Sequence, residues 1–274
     1  MNESQTLYSS ALQLLQAGDQ EAALALFAQA VPEEGDFVEA HLAWAEAVMP
    51  GPDYLGALKF IHNFLQPQNY VEIGVEFGTT LKLVSSQTKV LGIDPAPQVE
   101  SDFADNVSVY QQTSDDFFAS KDLSSLLGGS FVLAFIDGLH LFEQVLRDFI
   151  NLEKYSSPES LVVIHDCLPL DRRTASRMRT TQFWSGDVWK IVPCLKNERP
   201  DLNIATIPAY PTGLCLISGL SSESRLLEEN YTAIVERYIA LEYDVIKDKT
   251  DYFSLIANDC SRIKDFLLHE KHIF

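Results

Sequence analysis

The sequence has few cysteines, and those it has are widely spaced. They are Cys167, Cys194, Cys215 and Cys260. No two of them form a Cys-x-x-Cys motif, and no pair of histidines accompanies them. Structural zinc sites and disulfide frameworks need closely patterned cysteines, so neither is indicated. We expect a reducing, cytoplasmic location.

Basic residues are also scarce. The chain of 274 residues has 20 Lys and Arg against 39 Asp and Glu, a net charge of -19. The nearest approach to a basic run is the short stretch DRRTASRMR at residues 171–179. Nucleic-acid binding needs a basic face that neutralises phosphates, so no nucleic-acid partner is expected.

Long apolar runs are missing as well. No stretch approaches the roughly 18 apolar residues of a membrane helix. The start, MNESQT, lacks the basic segment ahead of an apolar core that marks a secretory signal. We therefore expect no membrane partner.

The complete Gly-x-Gly-x-x-Gly pattern of a dinucleotide site is absent too. The nearest stretch, YVEIGVEFGTT at residues 70–80, contains only Gly74 and Gly78. A pyrophosphate needs a helix N-terminus free of negative charge, yet Glu72 and Glu76 lie in and beside this loop. A nicotinamide-dependent oxidoreductase is therefore disfavoured, and a ligand without phosphates fits better.

The same stretch is nevertheless the one around which the chain is organised. It predicts a buried strand, Tyr70–Ile73, that stops at Gly74 and enters a helix near Gly78. A second short strand ends in Asp94, 20 residues after Gly74, the separation at which an acid meets ribose hydroxyls in a doubly wound fold. An ordinary turn with a conformational glycine is the alternative.

Strands and helices alternate through the middle of the chain, which predicts a parallel sheet with helices on both faces. Ligands then bind beyond the carboxyl ends of the strands. The predicted strands are Tyr70–Ile73, Val90–Ile93, Val107–Tyr110, Phe131–Ile136 and Leu161–Ile164, with Ile204–Ile207 and Leu214–Ser218 as a closing pair; the predicted helices are Tyr54–Leu65, one from about Thr79, those between Asp115 and Leu127, and His140–Tyr155.

Two further predicted strands end in acids. Asp137 follows the fourth strand and Asp166 the fifth, with His140 and His165 close by in the sequence. Burying a carboxylate costs free energy, so an acid at the end of a buried strand favours a functional role. Carboxylates and imidazoles together are able to hold a divalent cation.

Residues 71–80 resemble motif I of the class I S-adenosyl-L-methionine-dependent methyltransferases. The stretch IDGLHLFEQVLRD at residues 136–148, with His165 and Asp166, is similar to the small-molecule O-methyltransferases of the macrocin and catechol type. The resemblance covers roughly residues 68–220. It implies an α/β, doubly wound, mostly parallel seven-stranded sheet with an antiparallel hairpin at its edge, S-adenosyl-L-methionine as cofactor, and a small hydroxylated substrate.

The resemblance also implies the site. Glu72 and Gly74 would line the methionine half of the cofactor, Asp94 would hold the ribose, and Ser114 and Asp115 would touch adenine. The cofactor-binding residues are expected to be Glu72, Gly74, Gly78, Asp94, Ser114, Asp115 and Asp137; the metal ligands Asp137, His165 and Asp166; and the catalytic residues Asp137 and His140, the latter as general base.

The histidines leave alternatives open. The family usually has an acid where this chain has His165, and imidazole suits magnesium less well than softer metals, so the cation is not identified. His165 is also able to hydrogen-bond its neighbours without a metal, and His140 to cap the helix that follows it.

The ends of the chain are predicted to be helical. Residues 1–50 are an Ala- and Leu-rich extension that resembles one and a half tetratricopeptide repeats, fewer than the roughly 3 of a free-standing solenoid. We expect a helical cap or dimerisation element, with peptide binding as the alternative. Residues 51–220 are the predicted methyltransferase domain and 221–274 a helical tail, whose last residues are a candidate homo-oligomer contact.

The segment WSGDVWK at residues 184–190 follows the arginine-containing stretch. One interpretation is a lid whose preceding arginines meet an anionic substrate; the other is a surface helix with tryptophans in the core. For the whole chain, the alternative to a methyltransferase is a non-catalytic binding protein with a degenerate Rossmann domain.

Overall fold

A single seven-stranded sheet forms the centre of the computed structural model, which describes residues 2–32, 35–99 and 104–269. The strands are β1 (Asn69–Ile73), β2 (Lys89–Asp94), β3 (Val107–Gln111), β4 (Leu133–Ile136), β5 (Leu161–His165), β6 (Asn203–Ile207) and β7 (Leu214–Ser218). Their order is β3-β2-β1-β4-β5-β7-β6. Strands β1 to β5 are parallel, and β7 is antiparallel to both β5 and β6. The mostly parallel Rossmann-like sheet and its antiparallel edge hairpin are confirmed.

Helices cover both faces of the sheet and both ends of the chain. Twelve α-helices lie within the described residues: α1 (Glu3–Gln16), α2 (Gln20–Ala30), α3 (Val38–Val48), α4 (Tyr54–Leu65), α5 (Ser114–Ser120), α6 (Leu123–Leu127), α7 (Phe142–Glu153), α8 (Ile191–Glu198), α9 (Leu226–Glu229), α10 (Tyr231–Ile239), α11 (Lys249–Tyr252) and α12 (Cys260–His269).

The central strands are buried on both faces, which is why they are almost continuously apolar. Successive side chains of a strand point to opposite faces. In β1, Val71 and Ile73 pack in the core beneath α7, whereas Tyr70 packs in the second core with Leu58 and Ile61 of α4. The sheet is therefore held from two sides, and its carboxyl edge is left for the loops that form a cavity.

Two predicted helices differ from the structure. The helix expected from about Thr79 is a four-residue 3-10 helix, Thr80–Leu83. The residues that follow, Val84 and Ser85, have weak helix propensity and do not extend it. The helix expected from His140 begins at Phe142, which leaves His140 in the loop.

The N-terminal helices are docked on the sheet domain. Ala11, Phe27 and Ala47 form a small core of their own, while Ala45 and Met49 belong to the main core. The likeness to tetratricopeptide repeats, the domain boundaries and the oligomer contact remain predictions, and residues 270–274 lie outside the described chain. Within the described residues, none of the helices is both long enough and apolar enough to cross a membrane.

Candidate active site

A cavity of about 840 Å³ lies at the carboxyl edge of the sheet. Loops after β1, β2, β4 and β5 contribute to it, together with the start of α5. The predicted site residues that line it are Gly74, Asp94, Ser114, Asp115, Asp137, His140, His165 and Asp166. Glu72 and Gly78 are not among the described residues that line the cavity. The topology therefore brings eight of ten predicted residues to one cavity.

The backbone around Gly74 leaves no room for a side chain. Its φ is 90°, and a Cβ at this position would lie 2.0 Å from the Asp137 carbonyl oxygen and 2.7 Å from the Gly138 Cα. A side chain there would push the end of β1 away from the end of β4. The close approach inferred from the sequence is thus an approach of backbone to backbone, which also fixes Asp137.

Asp94 organises the loop after β1. Its Oδ2 accepts hydrogen bonds from the backbone N–H groups of Val75 (2.8 Å) and Glu76 (2.9 Å), and its Oδ1 accepts one from Ala96 (2.7 Å). A carboxylate has about four acceptor positions, so these three bonds leave one for a ligand hydroxyl. Asp94 lines the cavity while holding the glycine loop in place.

Glu72 is fully buried behind the cavity, which corrects the expectation that it lines the methionine half of the cofactor site. Its carboxyl accepts hydrogen bonds from the Tyr70 hydroxyl and the Thr80 Oγ1, both at 2.6 Å. Burial raises the pKa of Glu72 to about 8. Thr80 itself lines the cavity, so Glu72 acts on the site through Thr80.

Gly78, the other expected cofactor residue, belongs to a turn. Its N–H donates to the Val75 carbonyl oxygen at 2.7 Å, and its φ of 66° suits glycine.

His165 is held from both sides at the end of β5. Its Nδ1 lies 3.1 Å from Asp137 Oδ1 and its Nε2 lies 3.2 Å from Thr212 Oγ1. Burial lowers the pKa of His165, but the carboxylates of Asp137 and Asp166 outweigh that effect and raise the pKa to about 9. The imidazolium of His165 therefore neutralises part of the acidic cluster.

His140 faces the other side of the same acids. Its Nε2 is 3.0 Å from Asp166 Oδ2 and 3.9 Å from Asp137 Oδ1. Its Nδ1 is 3.3 Å from the Trp184 carbonyl oxygen, and the two rings are stacked with centroids 5.3 Å apart. These contacts fix the ring against the cavity.

The structure does not support a capping role for His140. The residue that precedes α7 is Leu141, which makes no side-chain cap. The N–H of Phe142 instead donates to Asp187 Oδ1 at 2.8 Å. A buried acid from a distant loop thus satisfies the helix end and leaves the imidazole available to the cavity.

The expected set of metal ligands has a difficulty at His165. Both of its ring nitrogens already have partners, Asp137 at Nδ1 and Thr212 at Nε2. Asp137, His140 and Asp166 form a group whose ligand atoms all lie within 4.8 Å of one another. The geometry therefore favours His140 over His165 as the imidazole that faces a cation.

Ser114 lies at the start of α5 and contacts a buried acid that sequence reasoning missed. Its Oγ donates to Asp148 Oδ1 at 2.6 Å, and Gln144 Nε2 reaches the same oxygen at 3.1 Å. Burial raises the pKa of Asp148 to about 7. Gln144 and Asp148 are four residues apart on α7, and that spacing was the available signal.

The four arginines of the loop after β5 serve different purposes. Arg172 pairs with Asp244, Arg173 donates to backbone carbonyls, and Arg177 is held by Glu143 and Asp187, both at 2.7 Å. Of the four, Arg179 alone is among the cavity-lining residues described. The expected cluster of arginines around an anionic substrate is therefore not formed.

The two tryptophans of this segment divide between the two predicted roles. Trp184 lines the cavity, as a lid residue would, whereas Trp189 is buried in the main core.

Tyr54, at the start of α4, also lines the cavity and was missed. Its ring stacks on His165 with centroids 4.5 Å apart, and burial together with Asp137 raises its pKa to about 12. No motif marked it, because its place in the site comes from the docking of α4 on the sheet.

Comparison with known proteins gives a family match over part of the chain. A family model described as a methyltransferase domain matches residues 71–167. No curated protein matches.

Solved structures resemble the chain distantly. The O-methyltransferase TomG of Streptomyces achromogenes, in complex with S-adenosylmethionine, is 16% identical, with 81% of this chain and 100% of that chain covered and a TM-score of 0.44. The O-methyltransferase of Bacillus cereus, in complex with S-adenosylhomocysteine, is 12% identical, with coverage of 78% and 99% and a TM-score of 0.40. The N-methyltransferase NodS of Bradyrhizobium japonicum is 14% identical, with coverage of 58% and 89% and a TM-score of 0.39.

The family match covers the carboxyl end of β1 and all of β2, β3, β4 and β5, whose ends lie at the cavity. Residues 71–167 are thus similar to a methyltransferase domain, as the resemblance of the sequence to the class I S-adenosylmethionine-dependent methyltransferases predicts.

Proposed function

We propose that this protein transfers a methyl group from S-adenosyl-L-methionine to a hydroxyl oxygen of a small molecule. The observation that carries the proposal is the juxtaposition of a glycine-opened loop, Asp94 and the cluster of Asp137, His140 and Asp166 around one cavity. A cavity of about 840 Å³ lies within the range of small-molecule sites.

The cofactor half would be formed by the loops after β1 and β2 and the start of α5. Asp94 has one acceptor position left for a ribose hydroxyl, and Ser114 and Asp115 line the same cavity. When bound, S-adenosyl-L-methionine supplies the methyl group from its sulfonium centre. The carboxylates that line this half suit a cationic ligand.

The acceptor half would be formed by Asp137, His140 and Asp166. His140 Nε2 faces the acidic cluster and is the atom proposed to take the hydroxyl proton, while the Trp184 carbonyl oxygen, 3.3 Å from Nδ1, orients the ring. Asp166 Oδ2, 3.0 Å from Nε2, then stabilises the imidazolium. Asp137 Oδ1 is shared with His165, so Asp137 is held in a fixed orientation in which it is able to orient the acceptor.

The acceptor is proposed to be neutral or cationic, not anionic. Asp137 and Asp166 line this half, and three of the four nearby arginines are paired elsewhere. A divalent cation would be held by Asp137, His140 and Asp166 and would polarise the acceptor oxygen; with His140 Nε2 as its ligand, the cation would act in place of His140 as general base.

Calorimetry with S-adenosylhomocysteine tests the proposal. We expect one saturable site in the wild-type protein and in His140→Gln. Methyl transfer from labelled S-adenosylmethionine to a panel of hydroxylated small molecules should fall by about 10²–10⁴-fold in His140→Gln, the usual contribution of a general base.

The outcomes separate the alternatives. Absence of S-adenosylhomocysteine binding contradicts the proposal and favours the non-catalytic binding protein. Unchanged methyl transfer in His140→Gln would contradict the role of His140 as general base and would leave the proposed cofactor site intact. Full activity with a chelator present would exclude only the divalent cation and not the methyltransferase activity.

A further inference from the structure

The loop of residues 171–187 forms one wall of the acceptor half, and we call it the acceptor loop. Phe183 and Trp184 of this loop line the cavity, and Trp184 stacks on His140. Gly186 lies against the same residue, since a Cβ there would be 2.0 Å from the His140 carbonyl oxygen. The conformation of the acceptor loop therefore sets the shape of the cavity beside the proposed base.

The N-terminal helices hold this loop through Pro32, Gly35 and Asp36, which lie between α2 and α3 and which we call the N-terminal turn. The backbone N–H of Gln182 donates to Asp36 Oδ2 at 2.6 Å. Arg173 donates to the carbonyl oxygens of Pro32 and Gly35, the latter at 2.5 Å. Contacts from two points of the acceptor loop thus converge on one turn of the N-terminal region.

His41 of α3 makes a third contact from inside the interface. Its side chain is fully buried and stacks on Phe183, with centroids 5.5 Å apart and planes 4° from parallel. Its Nε2 is 3.7 Å from Asp171 Oδ2 and its Nδ1 is 4.0 Å from Asp36 Oδ1. The imidazole therefore lies between one carboxylate of the acceptor loop and one of the N-terminal turn.

We propose that Asp36 and His41 are positioning residues for the acceptor half, and that α1 to α3 hold the acceptor loop against His140. The N-terminal helices then restrict which acceptor molecules enter. The identity of the cavity rests on the function proposed above, whereas the connection between the turn and the loop is testable without any ligand.

The cofactor half should be insensitive to this connection. Its residues Gly74, Asp94 and Ser114 follow β1, β2 and β3, whereas the acceptor loop follows β5 on the other side of β4 in the sheet. Loosening the loop should therefore alter acceptor entry and leave S-adenosylhomocysteine binding unchanged. A merely structural role for the N-terminal helices would affect both halves.

Hydrogen exchange provides the first measurement. In Asp36→Ala the Gln182 amide loses a charged acceptor, and we expect its exchange to accelerate at least tenfold, because such a bond contributes about 1.5–3 kcal/mol. Asp36→Asn keeps an acceptor oxygen and should restore protection. Asp19→Ala is the control, since Asp19 caps α2 in the same helical unit, away from the loop.

Fluorine NMR of 5-fluorotryptophan protein provides the second. The chain has three tryptophans, Trp44, Trp184 and Trp189, which are assignable by single replacements with Phe. The Trp184 signal should shift or broaden in Asp36→Ala and in Arg173→Ala, but not in Asp19→Ala. Arg173→Ala removes contacts between the acceptor loop and the N-terminal turn by changing the loop side. It therefore tests the proposal if Asp36→Ala does not fold.

Both measurements are accompanied by calorimetry with S-adenosylhomocysteine, whose affinity should stay within twofold of wild type in every variant. Unchanged exchange and an unchanged Trp184 signal in Asp36→Ala or Arg173→Ala would overturn the proposal. So would a loss of S-adenosylhomocysteine affinity parallel to the loosening of the loop. If the wild-type protein binds no S-adenosylhomocysteine, the proposed function fails, while the exchange and NMR results still decide whether the N-terminal turn holds the loop.

Discussion

Replacing Gly74 with alanine should destabilise the protein strongly, because the new Cβ has no room. It would lie 2.0 Å from the Asp137 carbonyl oxygen and 2.4 Å from the carbonyl carbon, both backbone atoms. The left-handed φ of 90° adds roughly 1–2 kcal/mol for a residue with a Cβ. Separating the ends of β1 and β4 adds the 1–3 kcal/mol typical of overpacking, so a total of about 2–5 kcal/mol is expected.

Gly128 offers a matched control. Its φ is 84°, and an added Cβ would meet nothing within 4 Å. Gly128→Ala should therefore cost only the backbone term of roughly 1–2 kcal/mol. The two variants differ in the clash alone.

Urea unfolding of both variants and the wild type gives the comparison. Thermal unfolding should show the melting temperature of Gly74→Ala lower by roughly 10 °C and that of Gly128→Ala by roughly 2–8 °C, at about 2–4 °C per kcal/mol for a domain near this size. Equal destabilisation by the two replacements would refute the account of Gly74 as the residue that lets β1 approach the backbone at Asp137.

Two further predictions concern buried acids. Because burial raises the pKa of Glu72 to about 8, the folded protein keeps a proton that the unfolded chain loses, and stability falls from about pH 5 to pH 8. Glu72→Gln should remove that fall, on the order of 4 kcal/mol, in urea unfolding at the two pH values, and an unchanged pH dependence would contradict the assignment. Asp187→Ala removes the acceptor for Phe142 and an ion-pair partner of Arg177, so urea unfolding should show a loss of about 3–5 kcal/mol. Asp244→Ala, which breaks an exposed pair, should cost at most about 1 kcal/mol, and similar losses in both variants would contradict the importance of burial.

The sequence determined the sheet and the composition of its carboxyl edge. Continuous apolar runs such as LVVI at residues 161–164 predict buried parallel strands, because a strand buried on both faces does not alternate apolar with polar residues. Residues that directly follow such strands, including Asp94, Asp137 and Asp166, must lie at the same edge because the strands are parallel. That argument needs only local pattern and chain direction.

Only the tertiary structure decided how each side chain is used. Glu72 is separated from the cavity by Thr80, and His165 is engaged at both nitrogens, because partners distant in the sequence occupy their polar atoms. Tyr54 enters the cavity from a helix that carries no motif, and Asp187 reaches the start of α7 from a loop distant in the sequence. Local sequence records which groups are present, but hydrogen bonds and burial depend on neighbours that the chain brings together only when it folds.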